Sequence, residues 1–418
     1  MRALIVFDKF KDALTARQAC DAAARALRGL HPDWQLDLCP LADGGDGFLD
    51  VLTVAARGRK INFPVMGPRG GTIEAPVGLI PVGNIPAEAL SLLGLAPGSA
   101  ADGRGQAGAG GEPSAGKSTV AVVEMAAASG LALLPPELRD PWKATSFGTG
   151  QLIRAAAEMG ASTVLLGVGG SATHDLGFGA LAAMGLEFRT GDGRKLKPPL
   201  PAQWADLESI EGVVFPSIPP ICIACDVSNP LLGPHGAAAV YAPQKGLAAA
   251  DFDRLEAATA TAAARLCRME PGPRPVGGSF DWTEWGPATP GAGAAGGLAF
   301  GLMVAAGARP VPGFAIVSAW LDFDRRLAAA DLVITGEGRY DESSSDGKGP
   351  GAVVALARKL GKPVHVFAGS ISGVRAGEPG LHGITPPGMP LAEALSKAAE
   401  NLAACIRGAL QKEHGLQG

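Results

Sequence analysis

The chain has 418 residues, of which 47% are hydrophobic and 18% are charged, and its formal net charge is -4. This composition is typical of a folded globular protein and excludes an intrinsically disordered one. The small negative charge and the 5% of aromatic residues offer no surface suited to nucleic acid or to an anionic membrane. The length favours two domains, and scattered cysteines without a signal peptide or a long apolar run predict a cytoplasmic protein.

Two predicted strands near the N terminus each end in charged residues, in the second case beside glycines. The first strand covers residues 2–7 and the second residues 35–39, with a helix between them. The residues of interest after these strands are Asp8, Lys11, Asp43, Gly44 and Gly45. Ligands bind outside the carboxyl ends of the strands in an open α/β sheet, so these residues predict a binding site. A solvated turn is the alternative for Asp43, because Asp and Gly are common turn residues.

A third buried strand is predicted at residues 164–168, and a turn of small residues follows it. The residues of interest in this turn are Gly169, Gly170, Ser171, Thr173 and Asp175. Glycines let a ligand approach the main chain, and a strand–turn–helix order directs backbone N–H groups towards an anion. The pattern indicates a phosphate-binding turn, although an ordinary strand-to-helix connection has the same order of elements.

The middle of the chain has a different pattern from its ends. Short alternating strands between residues 60 and 82 predict an antiparallel meander, and hence a second domain. Parallel strand–helix units at both chain ends predict that the termini fold together into one doubly wound domain. We therefore expect one domain from residues 1–58 plus 294–418, and an inserted mixed α/β domain from residues 59–293.

The inserted domain contains a low-complexity stretch at residues 97–117, which is predicted to be a mobile loop. Its end, from Gly111 to Ser118, matches the Walker A pattern letter for letter. That motif requires a strand before it and a helix after it. Here a Gly- and Ala-rich stretch precedes the match and a predicted strand follows, so the match is not expected to bind nucleotide.

Further strand ends and glycine clusters carry the same residue types. The acidic residues and lysines are Asp226, Lys245, Glu337, Asp341 and Lys348, and the glycines that open a late helix are Gly293, Gly296 and Gly297. These glycines could accommodate a phosphate or could serve close helix packing. Phosphoryl transfer needs backbone and Lys to hold phosphates, carboxylates for Mg²⁺, and a carboxylate that orients the attacking hydroxyl. The residues by themselves therefore predict a phosphate-handling α/β enzyme.

Nine runs between residues 4 and 370 resemble, in order and spacing, the signature segments of the bacterial glycerate kinase family. The runs are Asp8-x-Phe10-Lys11, Ala42-Asp43-Gly44-Gly45-x-Gly47, Glu124-Met125-Ala126-x-Ala128-Ser129-Gly130-Leu131, Thr145-x-x-Gly148-Thr149-Gly150, Gly169-Gly170-Ser171-Ala172-Thr173-x-Asp175, Ala224-Cys225-Asp226-Val227-x-Asn229-Pro230-Leu231, Pro243-Gln244-Lys245-Gly246, Gly291-Ala292-Gly293-Ala294-Ala295-Gly296-Gly297-Leu298 and Thr335-Gly336-Glu337-Gly338-Arg339-x-Asp341.

The resemblance implies two α/β domains, one flavodoxin-like and doubly wound, the other a mixed sheet similar to restriction endonucleases. It also implies ATP- and Mg²⁺-dependent phosphorylation of D-glycerate at the 2-hydroxyl, giving 2-phospho-D-glycerate. The residues alone leave the 2- or 3-phosphate product open, and also a monomer or a homodimer. The alternatives are a kinase for another small hydroxy acid, and a protein that binds a nucleotide or metabolite without turnover.

We assign predicted roles to residues of these runs and to Lys348. Catalytic roles go to Asp43, Lys11 and Asp175. Substrate or phosphate binding goes to Asp8, Gly44, Gly45, Thr149, Gly169, Gly170, Ser171, Thr173, Lys245, Gly293, Gly296, Gly297 and Lys348. Metal binding goes to Asp226, Glu337 and Asp341. Four positions depart from the usual family pattern, namely Lys9, Asp12, Asp46 and His174, where Ser, Gly, Glu and Asn are common, and they leave the preferred acceptor open.

Overall fold

The structure is a computed structural model. It describes residues 1–42, 44–96, 118–269, 286–341, 344, 349–373 and 380–414. The predicted site residues Asp43 and Lys348 lie outside the described residues, and so does the low-complexity stretch 97–117.

The described residues contain fourteen β-strands. They are β1 (Arg2–Phe7), β2 (Gln35–Leu38), β3 (Arg59–Met66), β4 (Thr72–Pro81), β5 (Thr119–Glu124), β6 (Thr163–Gly167), β7 (Glu187–Thr190), β8 (Lys195–Leu196), β9 (Leu207–Glu211), β10 (Ile221–Ala224), β11 (Arg309–Val311), β12 (Leu332–Tyr340), β13 (Val364–Ile371) and β14 (Leu381–Gly383).

The described residues also contain fourteen α-helices. They are α1 (Ala16–Leu30), α2 (Phe48–Ala55), α3 (Ala87–Leu92), α4 (Met125–Ser129), α5 (Phe147–Glu158), α6 (Phe178–Ala183), α7 (Ala237–Tyr241), α8 (Phe252–Cys267), α9 (Ala294–Ala306), α10 (Gly313–Trp320), α11 (Phe323–Ala328), α12 (Gly349–Lys359), α13 (Leu391–Ser396) and α14 (Ala398–His414). None of the described helices combines the length and the apolar character needed to span a membrane.

The chain divides into two compact units, unit 1 (Met1–Asp43 and Val317–Gly418) and unit 2 (Gly44–Ile316). The boundaries predicted from the sequence, near residues 58 and 294, differ from this division. Helix α2 belongs to unit 2 because two N–H groups at its start donate to the side chain at the end of β5. Strand β11 belongs to unit 2 because it pairs with β10.

Unit 1 is built on a parallel sheet with the strand order β14-β13-β12-β1-β2 among the described residues. Strand β1 is an apolar run that is fully buried from Ala3 onwards. Helix α1 starts at Thr15, whose hydroxyl accepts from Gln18 N while the Gln18 side chain accepts from Thr15 N. The buried faces of α1 and α14 share one apolar core with β1 and β12.

Strand β12 is longer than the sequence predicted. The sequence predicts a strand at residues 332–335 and a turn at residues 336–341. In the structure the strand continues to Tyr340, and Glu337, Arg339 and Tyr340 pair with residues of β13. Glycine makes this close pairing possible, since a Cβ on Gly336 would lie 1.8 Å from the Phe367 carbonyl oxygen.

Unit 2 contains a mixed sheet with the order β11-β10-β6-β5-β4-β3 among the described residues. Strands β5, β6, β10 and β11 are parallel, whereas β3 and β4 form the predicted antiparallel meander. A small antiparallel sheet has the order β8-β7-β9. The predicted α/β class is confirmed, and the likeness of the units to flavodoxin and to restriction endonucleases stays a prediction.

The carboxyl ends of β5, β6 and β10 lie at one edge of this mixed sheet because the three strands are parallel neighbours. Glu124 ends β5, Gly169 follows β6, and Asp226 follows β10. The predicted turns of unit 2 therefore gather at this edge, as they do in other open α/β sheets.

Candidate active site

The first feature at the edge of unit 2 is the glycine turn, by which we mean residues 44–48. The Gly44 carbonyl accepts a hydrogen bond of 2.9 Å from Gly169 N. A Cβ on Gly169 would lie 2.6 Å from the Gly45 Cα, and a Cβ on Gly44 would lie 3.1 Å from the Ala224 carbonyl oxygen. The structure thus brings Gly44, Gly45 and Gly169 together, and only glycine allows their main chains to approach so closely.

The second feature is the serine turn, residues 168–175, which follows β6. Gly170 is exposed and has a φ of 72°. A Cβ at this position would lie 2.9 Å from Asp46 Oδ1, so the glycine turn and the serine turn are in contact here as well. The main chain of Gly169 and Gly170 is the part of the serine turn that a ligand could reach.

Lys245 supports the serine turn from beneath. Its side chain is buried, and its Nζ donates to Ser171 Oγ at 2.8 Å and to the Thr173 carbonyl oxygen at 2.7 Å. Burial lowers the pKa of Lys245 to about 7, and the negative charge of Asp175 opposes this shift. Lys245 therefore holds the turn from inside and does not present its ammonium group at the surface.

Asp175 is fully buried and is saturated with hydrogen bonds. Its Oδ2 accepts from Ser146 N, Ser146 Oγ and Gly179 N at 2.7, 2.8 and 3.2 Å, and its Oδ1 accepts from Gly177 N at 3.2 Å. Burial raises the pKa of Asp175, and the hydrogen bonds from Ser146 partly offset the shift. These donors lie at the starts of α5 and α6, so the carboxylate caps both helices.

His174 is buried beside Asp175 and is neutral. Its Nε2 lies 3.0 Å from Thr259 Oγ1, which donates its proton to the Leu255 carbonyl oxygen at 2.7 Å. The histidine Nε2 must therefore be the donor to Thr259. Burial, and then the charge of Lys245, lowers the pKa of His174 to about 3. The histidine at this position consequently adds no charge to the edge of the sheet.

Several other predicted binding residues of unit 2 are packing residues in the structure. A Cβ would lie 2.3 Å from the Pro230 carbonyl oxygen if placed on Gly293, 2.1 Å from the Thr173 carbonyl oxygen on Gly296, and 2.5 Å from Leu176 Cδ2 on Gly297. These contacts favour close packing, the second of the two roles open from the sequence.

Two more buried hydroxyl contacts belong to the interior of unit 2. Thr149 is fully buried in α5 and donates to Ser129 Oγ at 2.9 Å. The Thr173 hydroxyl is also buried and donates to the Ala295 carbonyl oxygen at 3.5 Å. Neither hydroxyl is exposed to a ligand in this conformation.

In unit 1, the carboxyl ends of β1 and β12 bring charged residues together. Asp8 is only 6% exposed, and its Oδ1 accepts from Lys9 N at 2.7 Å. Asp8 N donates to the Gly336 carbonyl oxygen at 3.1 Å, which places Asp8 next to Glu337. Lys11 is exposed, and a Cβ on Gly338 would lie 3.0 Å from Lys11 N.

The three predicted metal ligands belong to two different units. Within the described parts of the chain, no group of three or more His, Cys, Asp or Glu side chains is placed to hold a metal ion. Glu337 lies on β12 of unit 1 and Asp341 directly follows that strand, where it pairs with Arg339 at 2.9 Å. Asp226 lies in unit 2 and accepts from Phe314 N at 2.8 Å, at the start of α10.

One residue at the edge of unit 2 was missed from the sequence. Glu124 is 9% exposed, and its Oε2 accepts from Gly47 N and from Leu49 N, both at 3.1 Å. Burial raises the pKa of Glu124 to about 7, and the charge of Asp46 adds to the shift. Its position at the carboxyl end of a buried strand was the available signal.

Comparison with known proteins identifies relatives over nearly the whole chain. The model of the glycerate kinase family matches residues 3–412. A glycerate kinase of Bacillus subtilis (strain 168) is 36% identical over 408 residues, which cover 96% of this chain and 94% of the relative. A glycerate 2-kinase of Escherichia coli (strain K12) is 32% identical over 378 residues, which cover 89% of this chain and 86% of the relative.

A solved structure agrees with these relatives. The crystal structure of a candidate glycerate kinase 2 from Salmonella typhimurium LT2 has a TM-score of 0.70 and 32% sequence identity, and the match covers 100% of both chains. The predicted family is therefore confirmed in both sequence and fold. The chain belongs to the glycerate kinase family and is therefore a kinase, as its sequence predicted.

Proposed function

We propose that the protein transfers the γ-phosphoryl group of ATP to the 2-hydroxyl of D-glycerate and releases 2-phospho-D-glycerate and ADP. The observation that carries the proposal is the contact between the glycine turn and the exposed main chain of Gly169 and Gly170. Two glycine-rich turns at the carboxyl ends of parallel strands are suited to an anionic ligand. The name of the E. coli relative, glycerate 2-kinase, favours the 2-hydroxyl as the acceptor.

The proposed chemistry divides the residues into those that contact the substrate and those that position them. Asp43 directly precedes the glycine turn in the sequence, and we assign to it the orientation of the acceptor hydroxyl. Lys11 is exposed and has the charge needed to neutralise a phosphate or a carboxylate. Asp175 and Lys245, which the sequence marked as catalytic and phosphate-binding, act instead as positioning residues because both are buried and hydrogen-bonded within unit 2.

Magnesium, when bound with ATP, neutralises the charge of the phosphates during transfer. In such sites the ion is held by one or two protein carboxylates together with water and phosphate oxygens. The carboxylates of Asp8, Glu337 and Asp341 at the ends of β1 and β12 fit this donor chemistry, and the absence of a larger cluster in the described residues is compatible with it. Asp8 thus joins the residues that we assign to the metal.

The deciding experiment is a coupled assay for ADP with the full chain, ATP and D-glycerate, in the presence and in the absence of Mg²⁺. We expect the protein to release ADP only when ATP, D-glycerate and Mg²⁺ are all present. ³¹P NMR of the product should show the phosphate on the 2-oxygen. L-glycerate and other small hydroxy acids serve as controls. Turnover with one of these acids and none with D-glycerate would favour the alternative, a kinase for another small hydroxy acid. ATP binding without turnover on any of them would contradict the proposal.

A matched pair of variants tests the role assigned to Asp43. Asp43→Asn keeps the size of the side chain but removes its charge, so turnover should fall by at least about a hundredfold, the usual scale for a positioned acid–base group. Asp21→Asn is the control, because Asp21 is a carboxylate on α1 of unit 1, the unit that contains Asp43, and it pairs with Arg17 at the surface. Equal activity of the two variants would remove Asp43 from the site.

A further inference from the structure

The glycine turn has an anchor that the reaction chemistry does not explain. One oxygen of Glu124 accepts from both Gly47 N and Leu49 N, each at 3.1 Å. Gly47 adopts a φ of 93° and directly precedes α2. The carboxylate therefore satisfies N–H groups at the start of that helix and fixes the end of the turn to the end of β5.

The turn needs such an anchor because its own residues do not define its conformation. Gly44, Gly45 and Gly47 lack side chains, and glycine populates many backbone conformations that other residues exclude. On its other side, the turn is held by the hydrogen bond from Gly169 N to the Gly44 carbonyl. A Cβ on Gly167, at the end of β6, would lie 2.6 Å from the same carbonyl oxygen. The turn is thus held at both ends across neighbouring strands.

We infer that Glu124 is a positioning residue for phosphoryl transfer, whose ionised carboxylate holds the glycine turn against the serine turn. This inference rests on the proposed function, because Asp43 directly precedes the glycine turn in the sequence. Glu124 itself is not expected to touch the substrate. Its effect reaches the reaction through the main chain of the residues that it binds.

The charge of Glu124 is part of this role. Hydrogen bonds to an ionised acceptor are about twice as strong as those to a neutral one. The charged groups that face Glu124 are Asp46, in the glycine turn, and Asp50, in the first turn of α2. Burial raises the pKa of Glu124, and the negative charges of these two residues raise it further. The pKa of Glu124 is raised from 4.5 to about 7, so its carboxylate becomes protonated as the pH falls through about 7. The anchor should weaken over that same range.

The test compares kcat/KM across pH for the full-length wild type and for Glu124→Gln, with MgATP and D-glycerate. In the wild type, kcat/KM should fall as the pH decreases through about 7. Glu124→Gln keeps an acceptor oxygen of the same shape without the charge. We expect kcat/KM to be about tenfold lower at alkaline pH, and the acidic decline to be absent. Glu158→Gln makes the same chemical change at an exposed glutamate that pairs with Arg154 on α5, and this matched control should keep both the plateau and the decline.

A second measurement separates this inference from the proposed function. Hydrogen exchange of the peptide that contains residues 44–49 reports on the two N–H groups without any turnover. We expect this peptide to exchange at least about threefold faster in Glu124→Gln than in the wild type, with other peptides unchanged. Equal protection in the two proteins overturns the inference even if the proposed reaction is established. Conversely, an inactive wild type with faster exchange in the variant contradicts only the proposed function.

A purely structural role for Glu124 also has a distinct outcome. In that case Glu124→Gln would melt at a lower temperature, while its kcat/KM per folded molecule and its acidic decline would match the wild type. That result overturns the inference, since the decline would then belong to another group.

Discussion

The serine turn of unit 2 and the segment 8–11 of unit 1 look alike in sequence and differ in structure. Both follow a buried parallel strand and both contain an acidic residue that the family pattern marks. In the serine turn, Asp175 is fully buried and accepts four hydrogen bonds from Ser146, Gly177 and Gly179. In segment 8–11, Lys11 is exposed.

The difference teaches that a strand end with polar residues can encode either a scaffold or a reactive surface. Hydrogen bonding within the protein decides between them, because a buried carboxylate such as Asp175, whose oxygens already accept four hydrogen bonds, has little capacity left for a ligand. In the serine turn the ligand-facing part is the main chain of Gly169 and Gly170, and the side chains hold that main chain in place. In segment 8–11 the lysine side chain itself faces solvent.

The largest expected effect is a loss of stability when the buried carboxylate of the serine turn is removed. Asp175→Ala leaves the donors of Ser146, Gly177 and Gly179 without their acceptor, so the free energy of unfolding should fall by about 3–5 kcal/mol, as when one partner of a buried charge network is removed. Urea denaturation measures the loss. Glu158→Ala is the control on α5, because its exposed pair with Arg154 should contribute less than about 0.5 kcal/mol. A similar loss in both variants would contradict the assignment of Asp175 as the capping carboxylate.

The next largest effect is a loss of activity when the exposed lysine of segment 8–11 is removed. Lys11→Ala should cost about 3 kcal/mol of transition-state stabilisation, which is the scale for removing one preorganised electrostatic donor. The melting temperature should not change, since the side chain is exposed. Steady-state kinetics beside Lys397→Ala, a surface lysine paired with Glu393, provides the comparison. A decrease of less than about threefold in kcat/KM would make Lys11 an ordinary surface lysine.

A third prediction concerns the lysine that supports the serine turn. The pKa of Lys245 is about 7 in the folded protein against an ordinary value of 10.5. Between these two values the unfolded chain binds more protons than the folded one, so stability rises with pH, by up to about 1.4 kcal/mol per pH unit. The penalty is fully present below about 7 and disappears above 10.5. The free energy of unfolding of the wild type minus that of Lys245→Met, from denaturation at several pH values in this window, should rise with pH. The difference isolates Lys245, because the buried thiols of Cys20 and Cys39, whose pKa values burial raises, titrate alike in both proteins.

The strands were predictable from the sequence because their signal is local. Continuous apolar runs predicted β1 and β6 to within a residue of their observed ends. The extension of β12 was not predictable in this way, since Glu337 and Arg339 are polar and only the pairing with β13 makes them part of a strand. The fold class was therefore accessible, whereas the pairing that lengthens a strand required the tertiary structure.

The site was predictable as a set of residue types and less so as a set of roles. The sequence marked Gly44, Gly45 and Gly169 as binding residues but assigned Gly169 to a different domain, so their contact was visible only in the structure. The burial of Asp175 depends on Ser146, which is 29 residues away in the sequence. Glu124 was missed because its partners, Gly47 and Leu49, are 77 and 75 residues away. A side chain's role as an anchor is set by partners that no local pattern contains.

The smallest expected effect concerns a sequence motif that lacks the structural context the motif requires. Lys117 belongs to the stretch from Gly111 to Ser118 that matches the Walker A pattern. Strand β5 begins directly after it, at Thr119, whereas the motif requires a helix there. Lys117→Ala should therefore leave kcat and KM for ATP unchanged within about twofold. Shortening the stretch 98–116 by half should also be nearly neutral, because closure entropy changes by only about 0.6 kcal/mol for each halving of a flexible connection. Loss of ATP binding in Lys117→Ala would move the nucleotide site to this stretch and away from the glycine and serine turns.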